Sequence, residues 1–514
     1  MRIGWANALL LAAALGATGC TVLPADTARV PSTTIIDGAD TPIGRALAPQ
    51  LAANPGLTGV VALADGRDAF AARVLLARAA ARSIDVQVYI WHGDPTGRAM
   101  FDEMRRAADR GVRVRLLIDD NNTAGLDPLL AMLEAHPNVE LRLFNPFAQR
   151  GATRLLGYAT DFSRLNRRMH NKSFTVDAQV TVVGGRNIGD EYFEAGQDTT
   201  FADLDLIAAG DAVREVSASF DRYWNAASAY PAAALLSGVE PMPRGTFDGL
   251  LAQDRATPEV AEYGRALERS ALVRELLAGG LRWEWVRARL VADAPEKVVE
   301  PIGTREVAML PRLGAAMGTP ARSLDLVSPY FVPGAHGADA LAALARGGVR
   351  VRVLTNSLAA TDVAPVHAGY AKRREALLAG GVELLELRPS PGAGDAGGRT
   401  PYRPGASSAS LHAKTFAIDG ERVFVGSFNL DPRSAALNTE MGLVVDSPAL
   451  ARRLSAALDA MHPALAWRVE RDPEGGGVRW RDAGPAPIAT EPGVGAMRRA
   501  AVRALSWLPI EWLL

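Results

Sequence analysis

The chain has 514 residues, 48% of them hydrophobic and 22% charged, a balance that excludes both disorder throughout and a protein of many membrane spans. Its length exceeds that of one ordinary domain, so we expect two packed units with additional ends. The 56 lysines and arginines against 57 aspartates and glutamates leave a formal net charge of -1, and no nucleic-acid partner is expected because such binding favours an excess of positive charge.

The amino terminus has the pattern of a secretory signal. A charged Arg2 precedes an apolar stretch, Ala8 to Leu15, that is shorter than a membrane span requires, and small residues lead to Cys20. This pattern resembles a bacterial lipoprotein signal and predicts a signal peptide over residues 1–19, acylation of Cys20 and a tether over residues 20–55. A lipid anchor would hold the protein in the cell envelope, facing the periplasm or the outside. An ordinary secretory peptide with an incidental cysteine is the alternative.

The chain contains an internal repeat. Ala81 to Val86 is echoed by Ala321 to Leu326, and each is followed by a helix of apolar periodicity. A second strand then follows in each half, Gly111 to Leu116 and Gly348 to Val353. The order strand, helix, strand predicts an α/β fold with mixed, largely parallel sheets. We assign the two copies to a first domain and a second domain, which span residues 56–232 and 301–465.

The segments outside the two domains differ from one another in amino-acid composition. Residues 233–300 are rich in Ala, Arg and Leu at helical spacing, which predicts a helical connection, whereas the Gly and Pro of residues 466–495 predict an irregular linker. Residues 496–514 place arginines ahead of Trp507 and other apolar residues, which predicts an amphipathic carboxy-terminal segment. This segment is interpreted either as a membrane-surface element or as a helix docked on the protein's own core.

The most informative segments continue the repeat. Each contains a His, a Lys two residues later, an Asp seven later, a Gly-Gly or Gly-Ser pair beginning fourteen later and an Asn seventeen later. One H-x-K triplet is weak evidence, whereas two sets with matching spacing inside a duplicated frame are a specific signal. The residues concerned are His170, Lys172, Asp177, Gly184, Gly185 and Asn187 in the first half and His412, Lys414, Asp419, Gly426, Ser427 and Asn429 in the second.

Local structure explains why this spacing suits a reaction. Residues 169–176 and 411–418 alternate as strands do, so a His and a Lys two residues apart project to the same side. Each imidazole is therefore placed beside a positive charge in a common cleft. Asp177 and Asp419 belong to the catalytic motifs but lie an odd number of residues from their histidines, so we assign them a structural role in bracing strand and turn.

The paired H-x-K-x-x-x-x-D motifs with a trailing G-G/S-x-N resemble those of the phospholipase D superfamily. Flanking strings such as Asp119 to Asn122 and Asn429 to Ser434 are similar to those of its bacterial cardiolipin synthases of class C. The resemblance extends over roughly Leu63 to Pro448. It implies two phospholipase D-like α/β/α sandwich domains, related by a pseudo-two-fold axis, with one active site at the seam between them.

The resemblance also implies a two-step reaction through a covalent phosphohistidine, resolved by an alcohol or by water. It makes His170 the nucleophile and His412 the general acid and later the base, although the near two-fold symmetry also allows the reverse. The groups expected to bind the phosphate oxygens and stabilise their charge are Lys172, Lys414, Asn187, Asn429, Ser427 and Gly185.

Each histidine further needs an acceptor that orients its other ring nitrogen. The resemblance implies a carboxylate in the region after each motif, and the repeat aligns Asp203 with Glu440, which lie 33 and 28 residues beyond their histidines. Asp205 is the competitor for Asp203. Arg164, Arg167 and Arg168 precede His170 and are candidates to bind an anionic group, with a solvated charged face as the alternative.

The expected reaction joins a phosphatidyl group to the glycerol hydroxyl of phosphatidylglycerol, giving cardiolipin. Phosphatidylglycerol and, as a second candidate, phosphatidylethanolamine are the expected lipid partners. A hydrolase that releases phosphatidic acid and a secreted nuclease are the alternatives, whereas intact motifs argue against a descendant that only binds. No cofactor or metal is expected, because Lys172 and Lys414 would point at the ion and the H-E-x-x-H spacing is absent.

Overall fold

The chain folds into two similar halves, each built on a mixed β-sheet with helices on both faces. The computed structural model describes residues 23–24, 29–195, 199–277, 280–389, 408–473, 476–509 and 511–514. The predicted signal peptide and Cys20 lie outside the described residues.

Ten strands are described up to residue 286: β1 (Thr58–Leu63), β2 (Ser83–Val88), β3 (Arg113–Asp119), β4 (Val139–Phe144), β5 (Ser173–Val176), β6 (Val180–Gly184), β7 (Thr199–Ala202), β8 (Asp205–Gly210), β9 (Ala229–Pro231) and β10 (Glu284–Val286). All except β7 form the first sheet, in the order β10-β1-β8-β6-β5-β2-β3-β4-β9. The neighbours β2, β3 and β4 run parallel, and β5 pairs with β2 in the antiparallel sense.

The strands that follow are β11 (Ala288–Ala292), β12 (Ser323–Val327), β13 (Arg350–Asn356), β14 (Glu383–Leu387), β15 (Ser408–Leu411), β16 (Lys414–Ile418), β17 (Arg422–Gly426), β18 (Met441–Val445), β19 (Ala466–Arg471) and β20 (Val478–Arg481). The second sheet has the order β11-β18-β17-β16-β12-β13-β14-β19-β20, which repeats the plan of the first. The parallel run is β12, β13 and β14. The remaining strands, β7 and β15, pair with each other in parallel and join the two halves.

The described helices are α1 (Pro42–Ala53), α2 (Gly66–Ala79), α3 (Pro95–Asp109), α4 (Asp127–Glu134), α5 (Gly157–Thr160), α6 (Phe162–Leu165), α7 (Asp211–Trp224), α8 (Ala232–Leu235), α9 (Arg244–Ala256), α10 (Pro258–Arg269), α11 (Ala271–Leu277), α12 (Leu310–Met317), α13 (Gly334–Arg346), α14 (Ala364–Ala371), α15 (Arg374–Ala379), α16 (Pro432–Ala436), α17 (Pro448–Met461) and α18 (Ala496–Ser506). Short 3₁₀ helices include Gly151–Leu156 and Asp190–Tyr192.

Side-chain chemistry at the helix ends supports these boundaries. Asp65 accepts hydrogen bonds from the first backbone N–H groups of α2, and Asp94 caps α3 in the same way ahead of a proline. The buried faces of α2 and α3 contact one face of the first sheet, where Phe70, Met100 and Phe101 belong to one apolar core. On the other face, α7 adds Phe220 and its neighbours, so the predicted α/β/α arrangement of mixed sheets is confirmed.

The two halves meet through a shared apolar cluster. Val183 on β6 and Leu206 on β8 pack with Val425 on β17 and Leu443 on β18. The strands next to the motif-bearing β5 and β16 therefore face each other across the seam, which brings the ends of the two motifs together.

Two segments differ from the sequence-based expectation. The helical connection contains α8 to α11 but ends in β10 and β11, which form an edge of each sheet. The predicted irregular linker contains β19 and β20, where Trp467 and Val469 are buried and Arg468 is exposed. This two-residue alternation is short and lies among glycines and prolines. The composition of the segment therefore predicted an irregular linker where the structure has two strands.

Both ends of the described chain pack on the body. In the predicted tether, the Thr34 hydroxyl donates a hydrogen bond to Asp85 at 3.1 Å, so this part is held against the first domain. At the other end, Val502 of α18 packs with Leu358 and Ala368, whereas Met497 and Trp507 are 89% and 79% exposed. One side of the segment is docked, and a membrane-surface role for its exposed side stays a prediction. No helix among the described residues is long and apolar enough to cross a membrane.

Candidate active site

The two motif histidines lie at the seam, and each is positioned by backbone from the opposite half. The backbone N–H of His170, just before β5, donates to the carbonyl of Thr439 at 2.9 Å. The N–H of His412, just before β16, donates to the carbonyl of Ala202 at 2.8 Å. Since both histidines are anchored across the seam, the site exists only when the two halves are packed together.

Each imidazole contacts a carboxylate that also comes from the other half. Nδ1 of His170 lies 2.8 Å from Oε2 of Glu440, and Nδ1 of His412 lies 2.6 Å from Oδ2 of Asp203. A hydrogen bond from Nδ1–H to a carboxylate leaves the Nε2 lone pair free to attack an electrophile or carry a proton. The structure brings together both carboxylates predicted from the repeat, in a crossed arrangement.

Asp205, the competitor for Asp203, serves a different purpose. Its carboxylate lies 2.9 Å from Arg73 Nη2 and 3.4 Å from Arg186 Nη1, all within the first half. Arg186 belongs to the G-G-x-N part of the motif and also donates to the carbonyl of Asp203 at 2.7 Å. Asp205 and Arg186 therefore hold the strand end that presents Asp203.

Gly185 and Ser427 occupy matching positions behind the histidines. A Cβ atom on Gly185 would lie 2.2 Å from Oδ1 of Asp203, so only glycine leaves room for that carboxylate. The Ser427 hydroxyl instead donates to Glu440 at 2.5 Å. The backbone N–H of Gly185 donates to the carbonyl of Leu204 at 3.3 Å. Both donors therefore have partners within the protein, and phosphate binding by Gly185 and Ser427 stays a prediction.

The two motif lysines are buried at the same centre. Nζ of Lys172 donates to the carbonyl of His170 at 2.6 Å, and Lys414 makes the equivalent bond to His412. Burial lowers the pKa of Lys172 to about 7 and that of Lys414 to about 8, against the opposing attraction of Glu440 and Asp203. An anionic substrate between the lysines would favour their charged forms.

The pKa values of the two histidine pairs differ. Burial, together with Lys172 and Lys414, holds the pKa of His170 well below its ordinary value, and burial raises the pKa of its partner Glu440 to about 7. Burial and Lys414 also lower the pKa of His412, but its carboxylate Asp203 opposes them. Burial alone would raise the pKa of Asp203, yet His412 and Lys414 outweigh it and hold that pKa below its usual range.

The motif asparagines each leave one buried amide atom without a hydrogen bond to the described residues. Asn187 accepts from the backbone of Ile90 through Oδ1, and its Nδ2 is the atom without a bond, whereas in Asn429 it is Oδ1. Buried polar atoms are normally satisfied, so the amide nitrogen of Asn187 and the amide oxygen of Asn429 are free to form a hydrogen bond with a bound molecule or with water.

Aromatic rings that the motifs did not identify enclose the histidines. The ring of Tyr89 meets that of His170 edge-on at 4.9 Å, and the Lys172 ammonium lies 5.4 Å from the same ring. Tyr192 and Phe201 lie 5.2 and 5.0 Å from the ring of His412. None of the three belongs to a motif, although Tyr89 directly follows β2, at the same end of the sheet as the histidine that it contacts.

The motif aspartates point away from this centre. The carboxylate of Asp177 accepts hydrogen bonds from the backbone N–H groups of residues 81, 82 and 83, and Asp419 does the same for residues 321, 322 and 323. Both residues have a positive φ, 52° and 56°. Each aspartate ties the turn after a motif strand to the start of the neighbouring strand, β2 or β12.

The arginines that precede His170 are occupied by protein partners. Arg168 is buried against Asp119, with Nε 2.9 Å from Oδ1, and Asp119 also accepts from the backbone of Met169. Arg164 pairs with Asp161, and Arg167 donates to the carbonyl of Glu300. Their expected role in binding an anionic group is therefore not supported, and they hold the backbone that leads to His170.

One cluster among the described residues has the composition of a metal site, formed by His92, Asp94 and Glu191. Nδ1 of His92 lies 3.3 Å from Oε1 of Glu191, which is an ion-pair contact when the imidazole is protonated. Asp94 already accepts hydrogen bonds from the backbone N–H groups of Gly97 and Asp190. These contacts account for the cluster as a helix cap and an ion pair.

Comparison with known proteins identifies relatives over most of the chain. Residues 74–224 and 313–462 each match the family described as cardiolipin synthase, PLD-like domain. The chain is 46% identical to cardiolipin synthase C of Escherichia coli over 482 residues, covering 92% of this chain and 99% of that protein. It is 25% identical to a cardiolipin synthase of Staphylococcus aureus over 405 residues, covering 76% of this chain and 65% of the other.

A solved structure shares the fold. The crystal structure of a phosphatidylserine synthase from Haemophilus influenzae aligns with a TM-score of 0.55 at 15% identity, covering 92% of this chain and all of the other. The two family matches fall in the two halves, and each contains one His, Lys and Asn set. The chain therefore belongs to the family of cardiolipin synthase, PLD-like domain proteins, with one copy of the domain in each half.

Proposed function

We propose that the protein is a phosphatidyltransferase that makes cardiolipin from phospholipids through a covalent phosphohistidine. The observation that carries the proposal is the pair of buried histidines at the seam, each with a carboxylate on Nδ1 and each in a half that matches the cardiolipin synthase, PLD-like domain family. The substantial identity to cardiolipin synthase C of Escherichia coli, over nearly its whole length, supports the same substrate class.

In the proposed first step, Nε2 of His170 attacks the phosphorus of a phospholipid. The phosphorus–oxygen bond to the headgroup breaks as a phosphorus–nitrogen bond forms, and His412 gives its proton to the departing alkoxide. In the second step, the glycerol hydroxyl of phosphatidylglycerol attacks the phosphorus. His412 takes the hydroxyl proton, the bond to His170 breaks, and cardiolipin leaves.

The electrostatics support this assignment of roles. A nucleophile must be neutral, and the low pKa of His170 keeps its imidazole unprotonated. A general acid must hold a proton. Burial and Lys414 lower the pKa of His412 too, but the ionised Asp203 opposes them, so His412 is the more readily protonated of the two histidines. Lys172, Lys414 and the amides of Asn187 and Asn429 would hold the non-bridging oxygens, whose negative charge they stabilise during transfer.

The decisive experiment separates transfer from hydrolysis. The purified protein is incubated with phosphatidylglycerol alone and with phosphatidylglycerol plus phosphatidylethanolamine, and the lipid products are measured by mass spectrometry. Predominant cardiolipin supports the proposal, and the released headgroup, glycerol or ethanolamine, identifies the donor. Predominant phosphatidic acid would show a phospholipase D-type hydrolase instead, since hydrolysis shares the first step and differs only in the acceptor.

The proposed location is the cell envelope, with the protein anchored through acylated Cys20 and the catalytic halves outside the cytoplasm. The support is the lipoprotein-type pattern of the first twenty residues. Fractionating cells that express the protein or its Cys20→Ser variant tests this: the unmodified chain should sediment with membranes and carry an acylated first residue by mass spectrometry. An unacylated, soluble chain would contradict it.

A further inference from the structure

The segment between β4 and β5 exposes apolar side chains. It consists of the 3₁₀ helix Gly151–Leu156 followed by α5 and α6. Leu155, Leu156 and Phe162 are 73%, 54% and 47% exposed. The charged residues between 151 and 165 are Arg154, which is buried, and Asp161 and Arg164, which form an ion pair with each other at 2.6 Å. An exposed group of large apolar residues usually marks a contact surface.

The opposite side of this segment is firmly packed. Arg154 is buried, donates to the Thr123 hydroxyl at 3.0 Å and lies 4.4 Å from the ring of Phe147. A Cβ on Gly157 would lie 3.1 Å from Leu165, so the two short helices are in close contact. The exposed side chains are thus presented by an anchored scaffold and do not result from a frayed loop.

A short chain of contacts connects the segment to the reaction centre. The Tyr158 hydroxyl donates to Oδ1 of Asn121 at 2.6 Å, and Nδ2 of Asn121 donates to the hydroxyl of Tyr89 at 3.3 Å. Tyr89 in turn contacts the ring of His170. Phe162 lies beside Tyr158, with the ring centres 6.4 Å apart, so the exposed apolar residues lie only a few side chains from the nucleophile.

A second exposed apolar pair lies next to the first group. Arg167, just after α6, donates to the carbonyls of Lys297 and Glu300. This contact holds the loop that carries Val299 and Ile302, both of which are largely exposed. Arg167 therefore connects the segment after β4 to a second loop that exposes apolar side chains. We call the five residues Leu155, Leu156, Phe162, Val299 and Ile302 the apolar rim.

We propose that the apolar rim is the surface by which the protein docks on a phospholipid bilayer, so that the lipid phosphate reaches His170 and His412. This inference rests on the proposed function, because only a lipid substrate requires such contact. The distribution of charge matches a phospholipid surface: the centre carries Lys172 and Lys414 for the anionic phosphate, and the uncharged rim beside it meets the acyl chains. Apolar side chains gain free energy on entering the headgroup and acyl boundary.

A matched pair of reporters tests the docking. Leu156 and Leu465 are both 54% exposed, but Leu465 directly precedes β19, near the far edge of the second sheet. Because Cys20 is the only cysteine, a Cys20→Ser background allows Leu156→Cys or Leu465→Cys to be labelled with an environment-sensitive fluorophore. On adding phosphatidylglycerol vesicles, the label at 156 should shift to the blue and be quenched by brominated acyl chains, while the label at 465 should not change.

Activity gives an independent readout in the full chain. The variant Leu155→Ser/Leu156→Ser/Phe162→Ser should lose roughly tenfold or more of its activity on vesicles, given the apolar area removed from the membrane contact. On a short-chain phosphatidylglycerol dissolved as monomers, it should retain the activity of the unmodified protein, with Leu465→Ser as the control. Equal vesicle activity, or no label response at 156, would overturn the docking proposal. An unmodified protein inactive on both substrates would instead refute the proposed function.

Discussion

Glu440 of the second half lies 2.8 Å from Nδ1 of His170 in the first half, and the corresponding carboxylate of the first half serves His412 in return. Glu440 itself is held by hydroxyls of Ser427 and Ser434, and its backbone N–H donates to Asp293 at 2.8 Å. Asp293 pairs with Lys297 at 3.0 Å. The orientation of the His170 ring therefore depends on a network that the second half supplies.

Loss of either carboxylate should reduce catalysis far more than folding. We expect Glu440→Gln and Asp203→Asn to lower kcat for cardiolipin formation by roughly 10³-fold or more, because the neutral amide no longer fixes the imidazole tautomer or stabilises its cation. Steady-state kinetics and circular dichroism measure the two effects. Glu421→Gln, which removes an exposed carboxylate paired with Arg322, is the control. A loss below tenfold in both site variants would contradict the orienting role.

The pH profile of kcat/KM should be bell-shaped. Attack requires neutral His170, whose pKa is held well below 6.5, so the acid limb should lie below that value. Activity should fall as the pH rises, because His412, whose pKa is also lowered from 6.5, must carry the proton of the general acid, and Lys172, with a pKa of about 7, loses its charge. Lys172→Arg stays protonated, so the part of this fall that Lys172 causes should disappear and the basic limb should become less steep, although the maximum rate should be lower because a guanidinium is shaped differently. A basic limb of unchanged steepness would show that another group controls it.

Asp177 should matter for stability more than for chemistry. Asp177→Ala removes a buried carboxylate that accepts from three successive backbone N–H groups, and we expect a loss of about 3 kcal/mol in the free energy of unfolding. Asp419→Ala should cost less, since that site is more open to solvent. Denaturant titration measures both. Activity per folded molecule should change little, and an inactive variant of unchanged stability would assign the aspartate to catalysis.

Gly185→Ala should inactivate the protein by displacing a carboxylate. The added Cβ would lie 2.2 Å from Oδ1 of Asp203, so the aspartate must leave its contact with His412. We expect a loss of activity comparable with that of Asp203→Asn. Gly314→Ala is the matched control, because nothing lies within 4 Å of its Cβ position in α12, and alanine is favoured over glycine within a helix. Full activity of Gly185→Ala, measured alongside this control, would show that the backbone at residue 185 can shift without displacing Asp203 from His412.

Much of the architecture was predicted from sequence patterns that extend over only a few neighbouring residues. The duplicated strand, helix, strand order predicted two α/β halves, and the spacing of His and Lys predicted one shared side of a strand, because both follow from backbone periodicity. The odd offset of Asp177 and Asp419 indicated the bracing position in which the structure places their carboxylates. Strands β19 and β20 were missed because glycines and prolines around them dominated the composition.

The sequence by itself determined the duplication, the paired motifs and hence the family, since each depends on residues close together in the chain or repeated at fixed offsets. Only the tertiary structure decided that Glu440 serves His170 and Asp203 serves His412, across separations of 270 and 209 residues. It also decided that Asp203 and not Asp205 reaches a histidine, and that Ser427 donates to Glu440. These partners are brought together by the packing of the two halves at the seam. The periodicity of a single segment predicts which side of a strand a residue faces, but it does not predict which surfaces of the two halves will meet.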